Sequence, residues 1–190
     1  MTRTITHETN FVTREENDKK YIEGYFAVFG AKYWLWEDAY ETIDFGAFNL
    51  ARDTDIRALV NHDTTLVLGR TTAGTLTLRT DERGLFGSIE LNEKDQDAVN
   101  LYERVKRGDV SQCSFGFEIL SQETERTAGQ PTVFRLQDVK LYEVSACTFP
   151  AYEETAIAAR KKEVEEIDRR KAEEWRTTML EKLKGANNGT

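Results

Sequence analysis

A mainly antiparallel β-sheet or closed β-barrel, with a few helices outside it, is the architecture this sequence predicts. Three observations carry that expectation. Many short segments alternate apolar and polar residues with period two. One helix of clear 3.6-residue periodicity precedes Gly108, and a charged helical tail follows Ala151. Strands do not alternate regularly with helices, and there is no Gly-rich phosphate loop, which sets the chain apart from parallel α/β folds.

Taken in order, the first twenty residues are polar and mixed in charge, and they read as a mobile arm or as a first edge strand and turn. Tyr21 to Phe29 is aromatic and β-branched, a strand ended by Gly30. Ala31 to Ala39, with Trp34 and Trp36, reads as an irregular loop. Ile56 to Val60 is a short apolar strand leading into Asn61-His62-Asp63, and Leu66 to Leu68 follow. Thr75 to Arg79 and Leu85 to Leu91 alternate, and Asp81-Glu82-Arg83-Gly84 links them as a hairpin turn. Between Asn92 and Arg107 the period changes: Ala98, Tyr102 and Val105 share a helical face, Asn92 or Asp95 caps its start, and Gly108 ends it. Gln112 to Leu120 is a strand, Ser121 to Pro131 a polar hairpin loop, and Val133 to Phe149 a long strand candidate. From Arg160 to Lys184 the tail holds 9 basic and 7 acidic residues. There Val164, Ile167, Ala172, Trp175, Met179 and Leu183 form an amphipathic stripe about 160° wide that needs a partner.

Composition narrows the chemistry. The 190 residues carry 26 basic and 34 acidic side chains, a net charge of −8, which argues against a phosphate-neutralising nucleic-acid surface. No run of 18 apolar residues is present, so no membrane-spanning helix is expected. The start, MTRTITHETN, lacks the apolar core of a secretory signal. Two cysteines and two histidines do not furnish a disulfide framework or a metal site rich in these residues. Cys113 and Cys147 are therefore expected as free thiols in a reducing compartment, and no metal or cofactor is expected.

If an imidazole acts as a base here, it belongs to His62 or His7. His62 ends an apolar strand, whereas His7 lies in a polar segment with little to position it. An exposed turn residue is the commoner fate of such a histidine. Ser114 lies in Cys113-Ser114-Phe115-Gly116-Phe117. Strand alternation puts its hydroxyl on one face with Gly116, opposite Phe115 and Phe117, and Gly116 leaves room for a substrate backbone. A plain strand with one polar face is the alternative. Glu143 sits in the largely apolar Leu141-Tyr142-Glu143-Val144-Ser145, where a carboxylate needs a partner: an imidazole N–H, or an arginine at the rim. Hydroxyl, imidazole and carboxylate together would make a nucleophile, a proton relay and an orienting acid. Cys113 is a rival nucleophile, but alternation turns it toward the aromatics as a small buried hydrophobe, and Cys147 also reads as core.

Asn61-His62-Asp63 with Leu68-Gly69, then Ser114-Phe115-Gly116-Phe117, then Glu143-Val144-Ser145 through Phe149-Pro150-Ala151, occur in that order. Around them stand YIEGYFAVFG, Ile43-Asp44-Phe45-Gly46-Ala47-Phe48, Gly84-Leu85 and Lys106-Arg107-Gly108. In this set the chain, from about Tyr21 to Ala158, resembles the HK97-type prohead (procapsid) maturation serine proteases of tailed bacteriophages. The resemblance implies a closed β-barrel like that of herpesvirus assemblins, flanked by helices, to which the residue pattern adds the C-terminal amphipathic helix. Residue pattern and resemblance together divide the chain into a mobile arm or edge strand over 1–20, a protease domain over 21–158 and a charged helical tail over 159–190. Ser114 would be the nucleophile, His62 the general base and then acid, and Glu143 the orienting acid, with Asp63 as fallback. The implied substrates are the scaffold segment of the major capsid protein or a separate scaffold, and the protease itself, inside the prohead in the bacterial cytoplasm. Homo-oligomerisation is left open, and no nucleic acid or membrane partner is implied. The rival readings are a non-catalytic scaffold or capsid-associated β-domain, and a cysteine peptidase built on Cys113. An imidazole base of ordinary pKa would lose activity as pH falls through about 6 to 7.

Overall fold

The computed structural model describes residues 3–9, 11–149 and 154–187. The chain divides into two compact units, residues 1–152 and 153–190.

In the first unit, eleven strands form two sheets. They are β1 (Arg3–Glu8), β2 (Val12–Glu16), β3 (Lys19–Val28), β4 (Tyr33–Trp36), β5 (Ala39–Ile43), β6 (Arg57–Val60), β7 (Asp63–Arg70), β8 (Leu76–Thr80), β9 (Gly84–Glu90), β10 (Gln112–Glu125) and β11 (Thr132–Cys147). The larger sheet has seven strands. It runs β1-β10-β11-β5-β4, with β6 and β7 attached to β11; the smaller runs β2-β3-β9-β8. The segment expected as a loop, Ala31 to Ala39, supplies β4 and the turn into β5, and Trp34 packs against Tyr40 across that pair, ring centroids 5.0 Å apart.

The closed barrel is the part of the expected fold that requires correction. Among the described residues β1 and β4, the ends of the larger sheet's path, do not pair, and no ladder joins the two sheets. A barrel needs its first and last strands hydrogen-bonded. Here β11 prevents a simple closed order, because its 16 residues outrun their neighbours. Along one edge it pairs in parallel first with β5, then through a Phe48–Val139 bridge, then with β6. Its other edge is taken by β10 in a long antiparallel hairpin. Parallel pairing at Glu143↔Arg57 through Ala146↔Val60 sets the start of the β6–β7 turn beside the end of β11, and this fixes the site described below.

The core follows from alternation. Phe115 and Phe117 stack at 4.9 Å on the inner face of β10 and bury beside Phe26, Ile22, Leu85 and Ile89 of the smaller sheet. Helix α1 (Gln96–Arg107) buries Ala98, Leu101, Tyr102 and Val105. Of the two candidate caps it is Asp95 that serves, its carboxylate accepting from the Asp97 and Ala98 backbone N–H groups, and Gly108 closes the helix at φ +88°. Tyr102 Oη reaches Glu15 of β2 at 3.0 Å, linking the helix to the polar N-terminal segment. That segment is paired over most of its length: β1 with β10, β2 with β3.

The second unit holds helix α2 (Glu154–Asn187), on which Trp175, Met179 and Leu180 are exposed. No helix among the described residues is long and apolar enough to cross a membrane.

Candidate active site

The site is built from a turn and a strand end. β6 and β7 are joined by Asn61-His62, and both residues have positive φ, +51° and +61°. With Val60 paired to Asp63, this is a two-residue hairpin turn of type I′, whose second position usually holds glycine. A side chain in the left-handed region costs about 1–2 kcal/mol, so the turn must be held from outside. It is held by β11 and the residue after it. Asn61 N–H donates to the Ala146 carbonyl at 3.0 Å, Thr148 N–H donates to Asn61 Oδ1 at 2.8 Å, and His62 N–H donates to Ser145 Oγ at 3.2 Å.

Glu143, Ser145 and Cys147 alternate along β11 and therefore share one face. His62 lies over that row. Its Nδ1 is 2.7 Å from Glu143 Oε1, and its Nε2 is 3.9 Å from Cys147 Sγ. Ser145 Oγ donates to Glu143 Oε2 at 2.6 Å and lies 3.5 Å from His62 Nδ1. Across the ladder Gly116 stands opposite Glu143, and a Cβ built there would fall 2.3 Å from Glu143 Oε1. The glycine thus makes room for the carboxylate rather than for a substrate backbone, as alternation alone suggested.

The electrostatics follow from these contacts. Burial opposes a charged His62 ring, but its hydrogen bonds with Cys147 and Glu143 and the favourable electrostatics of these neighbours more than offset it, raising the pKa to about 10. The ring in this arrangement is an imidazolium at neutral pH, unlike the unshifted imidazole expected from composition.

Ser114 stands directly across the ladder from Ser145 and on the same face as Glu143. Directly opposed residues keep their Cβ atoms about 4.5–5.5 Å apart. The Ser114 hydroxyl, however, turns toward the other edge of β10, away from β11. It donates to the Ile5 carbonyl of β1 at 2.9 Å, and the residue is fully buried. Among the described residues no hydrogen bond joins Ser114 to His62. The structure therefore brings two of the three expected side chains into contact and leaves the third one rung away on the same face.

The rivals lie elsewhere. Cys113 is on the opposite face, buried against His7, with Sγ 3.4 Å from Nε2, and burial drives its thiol pKa up, which disfavours a thiolate. Asp63 is exposed and spends one oxygen on Thr65, accepting from its N–H at 2.8 Å and its hydroxyl at 2.6 Å. Ser145 and Cys147 were missed as site residues. The signal was their i+2 and i+4 spacing from Glu143. Among the described residues no cluster of three or more histidine, cysteine or acidic side chains is arranged for a metal ion.

No curated protein matches the chain. A solved structure, the bacteriophage T4 capsid assembly protease gp21, is similar at a TM-score of 0.48 and 12% identity, over 78% of this chain and 98% of that one. The profile of the caudovirus prohead serine protease family matches residues 8–170, a span that takes in the His62 turn, β10 and β11. The chain therefore belongs to the caudovirus prohead serine protease family.

Proposed function

We propose that the chain is a serine endopeptidase of capsid maturation, with Ser114 as nucleophile, His62 as general base and then acid, and Glu143 as the acid that orients His62. The observation that carries this reading is the 2.7 Å pairing of His62 Nδ1 with Glu143 Oε1, on the face that Ser114 shares. With Nδ1 committed to the carboxylate, Nε2 is the nitrogen left for a hydroxyl, the division of labour a Ser-His-acid set requires.

Ser114 Oγ adds to the scissile carbonyl carbon while its proton passes to Nε2. The carbonyl electrons move onto oxygen and return as the C–N bond breaks, and Nε2 gives the proton to the leaving amine. Water then repeats the sequence on the acyl-enzyme. Glu143 holds the ring in the required tautomer and steadies the imidazolium. Two changes from the described arrangement are needed. The Ser114 hydroxyl must leave the Ile5 carbonyl, and His62 must shed its proton. The described arrangement is thus a resting state, which suits a protease that has to wait for its shell to assemble. The substrates are the scaffold segment of the major capsid protein or a separate scaffold, and the protease itself, inside the prohead.

Coexpression with the capsid subunit, followed by mass spectrometry of all fragments, tests this. Wild type should trim the capsid precursor and itself, and Ser114→Ala should leave both intact. The same fragments from Ser114→Ala would remove Ser114 from the mechanism. Intact precursor with wild type inside assembled shells would favour the non-catalytic scaffold reading, which the buried, backbone-bonded Ser114 hydroxyl also fits.

A further inference from the structure

We propose that Ser145 is a positioning residue, which sets both the carboxylate and the imidazole backbone of the site through one hydroxyl. The proposal rests on the protease reading above for its functional meaning, but not for its geometry. A serine hydroxyl has one proton and two lone pairs. Here the proton goes to Glu143 Oε2 at 2.6 Å, and a lone pair accepts the His62 N–H at 3.2 Å. Ser145 therefore ties the two partners to each other through itself, while Nδ1 and Oε1 close the loop directly at 2.7 Å.

Among the described residues no other hydrogen bond reaches Glu143 Oε2 or the His62 N–H. Glu143 lies over Gly116, which has no side chain to confine the carboxylate sideways. With Oε1 on His62, the Ser145 hydroxyl is what fixes the second oxygen and hence the plane of the carboxylate. His62 sits in the left-handed region at φ +61°, and its N–H is anchored on the same hydroxyl. Ser145 is set apart from the nucleophile by position: its hydroxyl lies on the Nδ1 side of the His62 ring and donates to the acid, whereas the attacking hydroxyl needs Nε2. Its register partner is Ser114, so any shift of Ser145 along β11 also changes the surface over which the nucleophile must turn.

Among the described residues the titratable groups in contact with the His62 ring are Glu143 and Cys147 from β11; the adjacent Asp63 is occupied by Thr65, and β10 places the neutral Ser114 across the ladder from Ser145. Loosening Glu143 thus weakens a main support of the imidazolium.

The full chain has two histidines, so imidazole titration by NMR resolves both. Wild type, Ser145→Ala and Ser145→Thr are compared, and Ser145→Cys, which keeps the volume and weakens the donor, replaces Ala if that variant does not fold. The expected result is a His62 midpoint lowered by about one unit or more in Ser145→Ala or Ser145→Cys, an unmoved His7, and a wild-type-like midpoint in Ser145→Thr. Labelling of Ser114 by a fluorophosphonate, compared on the plateau above its pH inflection, should slow about tenfold to a hundredfold in the same variants, with the inflection itself moved in the same direction as the His62 midpoint. A space-filling role would lower the folded fraction at every pH without moving either inflection. An unmoved His62 midpoint in a folded Ser145→Ala or Ser145→Cys protein overturns the proposal. If wild type takes no label at all, the protease reading fails, and the titration still decides the role of Ser145.

Discussion

His7 and His62 lie on opposite faces of the same sheet, each beside a cysteine, and the protein holds their protons in opposite ways. His7, on β1, has Cys113 Sγ 3.5 and 3.4 Å from its ring nitrogens and Tyr33 edge-on at 5.7 Å. Burial, with the Arg83 charge adding to it, outweighs the Tyr25 backbone contact and lowers its pKa to about 4. His62 is also buried in part, yet its pKa is raised to about 10, because hydrogen bonding with Cys147 and with the Glu143 carboxylate outweighs that burial. Both rings have a thiol close by, but only His62 also has a carboxylate at Nδ1, with a hydroxyl fixing that carboxylate's other oxygen.

The largest test of that contrast is removal of the acid. Glu143→Gln should cut kcat by roughly 10³–10⁴, as loss of tautomer control does in Ser-His-acid sets, and His62→Ala should do at least as much. His7→Gln should leave kcat within about twofold. A comparable loss from His7→Gln would undo the distinction between the two faces.

Gly116→Ala comes next. Its methyl group would meet Glu143 Oε1 at 2.3 Å, so the carboxylate must move. The expected cost is about a hundredfold in kcat/KM, the usual penalty for a misplacement near 1 Å, with the His62 midpoint falling toward 6.5 and the His7 midpoint unchanged. Unaltered kinetics would mean that Glu143 has another productive position.

The pH dependence of stability separates the rings by sign. The folded pKa of His7 is depressed, so its contribution is intact above about 6.5 and is lost as pH falls toward 4, by at most about 3 kcal/mol. The folded pKa of His62 is raised, so its contribution is intact below about 6.5 and is lost as pH rises toward 10. Denaturant midpoints across pH 4 to 10 should therefore fall on both limbs, with His7→Gln flattening the acid limb and His62→Gln the alkaline one. The reverse assignment would contradict the environments described.

The smallest effect concerns the turn. Asn17-Asp18 repeats the backbone of Asn61-His62, with φ +51° and +58°, but both of its residues are exposed. Asp18→Gly should raise stability by roughly 0.5–1 kcal/mol with activity unchanged, since glycine relieves the left-handed strain, read by thermal denaturation beside the cleavage assay. His62→Gly relieves the same strain and should abolish activity.

Much of this was legible in the sequence because alternation is a local property. The face shared by Ser114 and Gly116, the burial of Cys113 with the aromatics, a helix cap at Asn92 or Asp95 and the glycine stop at Gly108 all follow from nearest neighbours. What was not legible depended on partners far along the chain. The pairing of β11 with β5 and then β6 breaks the expected barrel, and no local pattern encodes it. Trp34 and Trp36 read as loop residues until Tyr40 and Ala39 of β5 are placed across from them. Burial of His7 comes from pairing β1 with β10 across more than a hundred residues. Ser145 was visible in the motif with Glu143, but its role needed the turn that hangs His62 above it.

The central claim is that Ser114 becomes the nucleophile when it turns from Ile5 toward His62. Mapping the covalent adduct of a fluorophosphonate by peptide mass spectrometry, on assembly-competent protein, tests it most directly. The adduct should sit on Ser114 and vanish in His62→Ala. An adduct on another residue, or one on Ser114 that forms equally well without His62, would contradict the account.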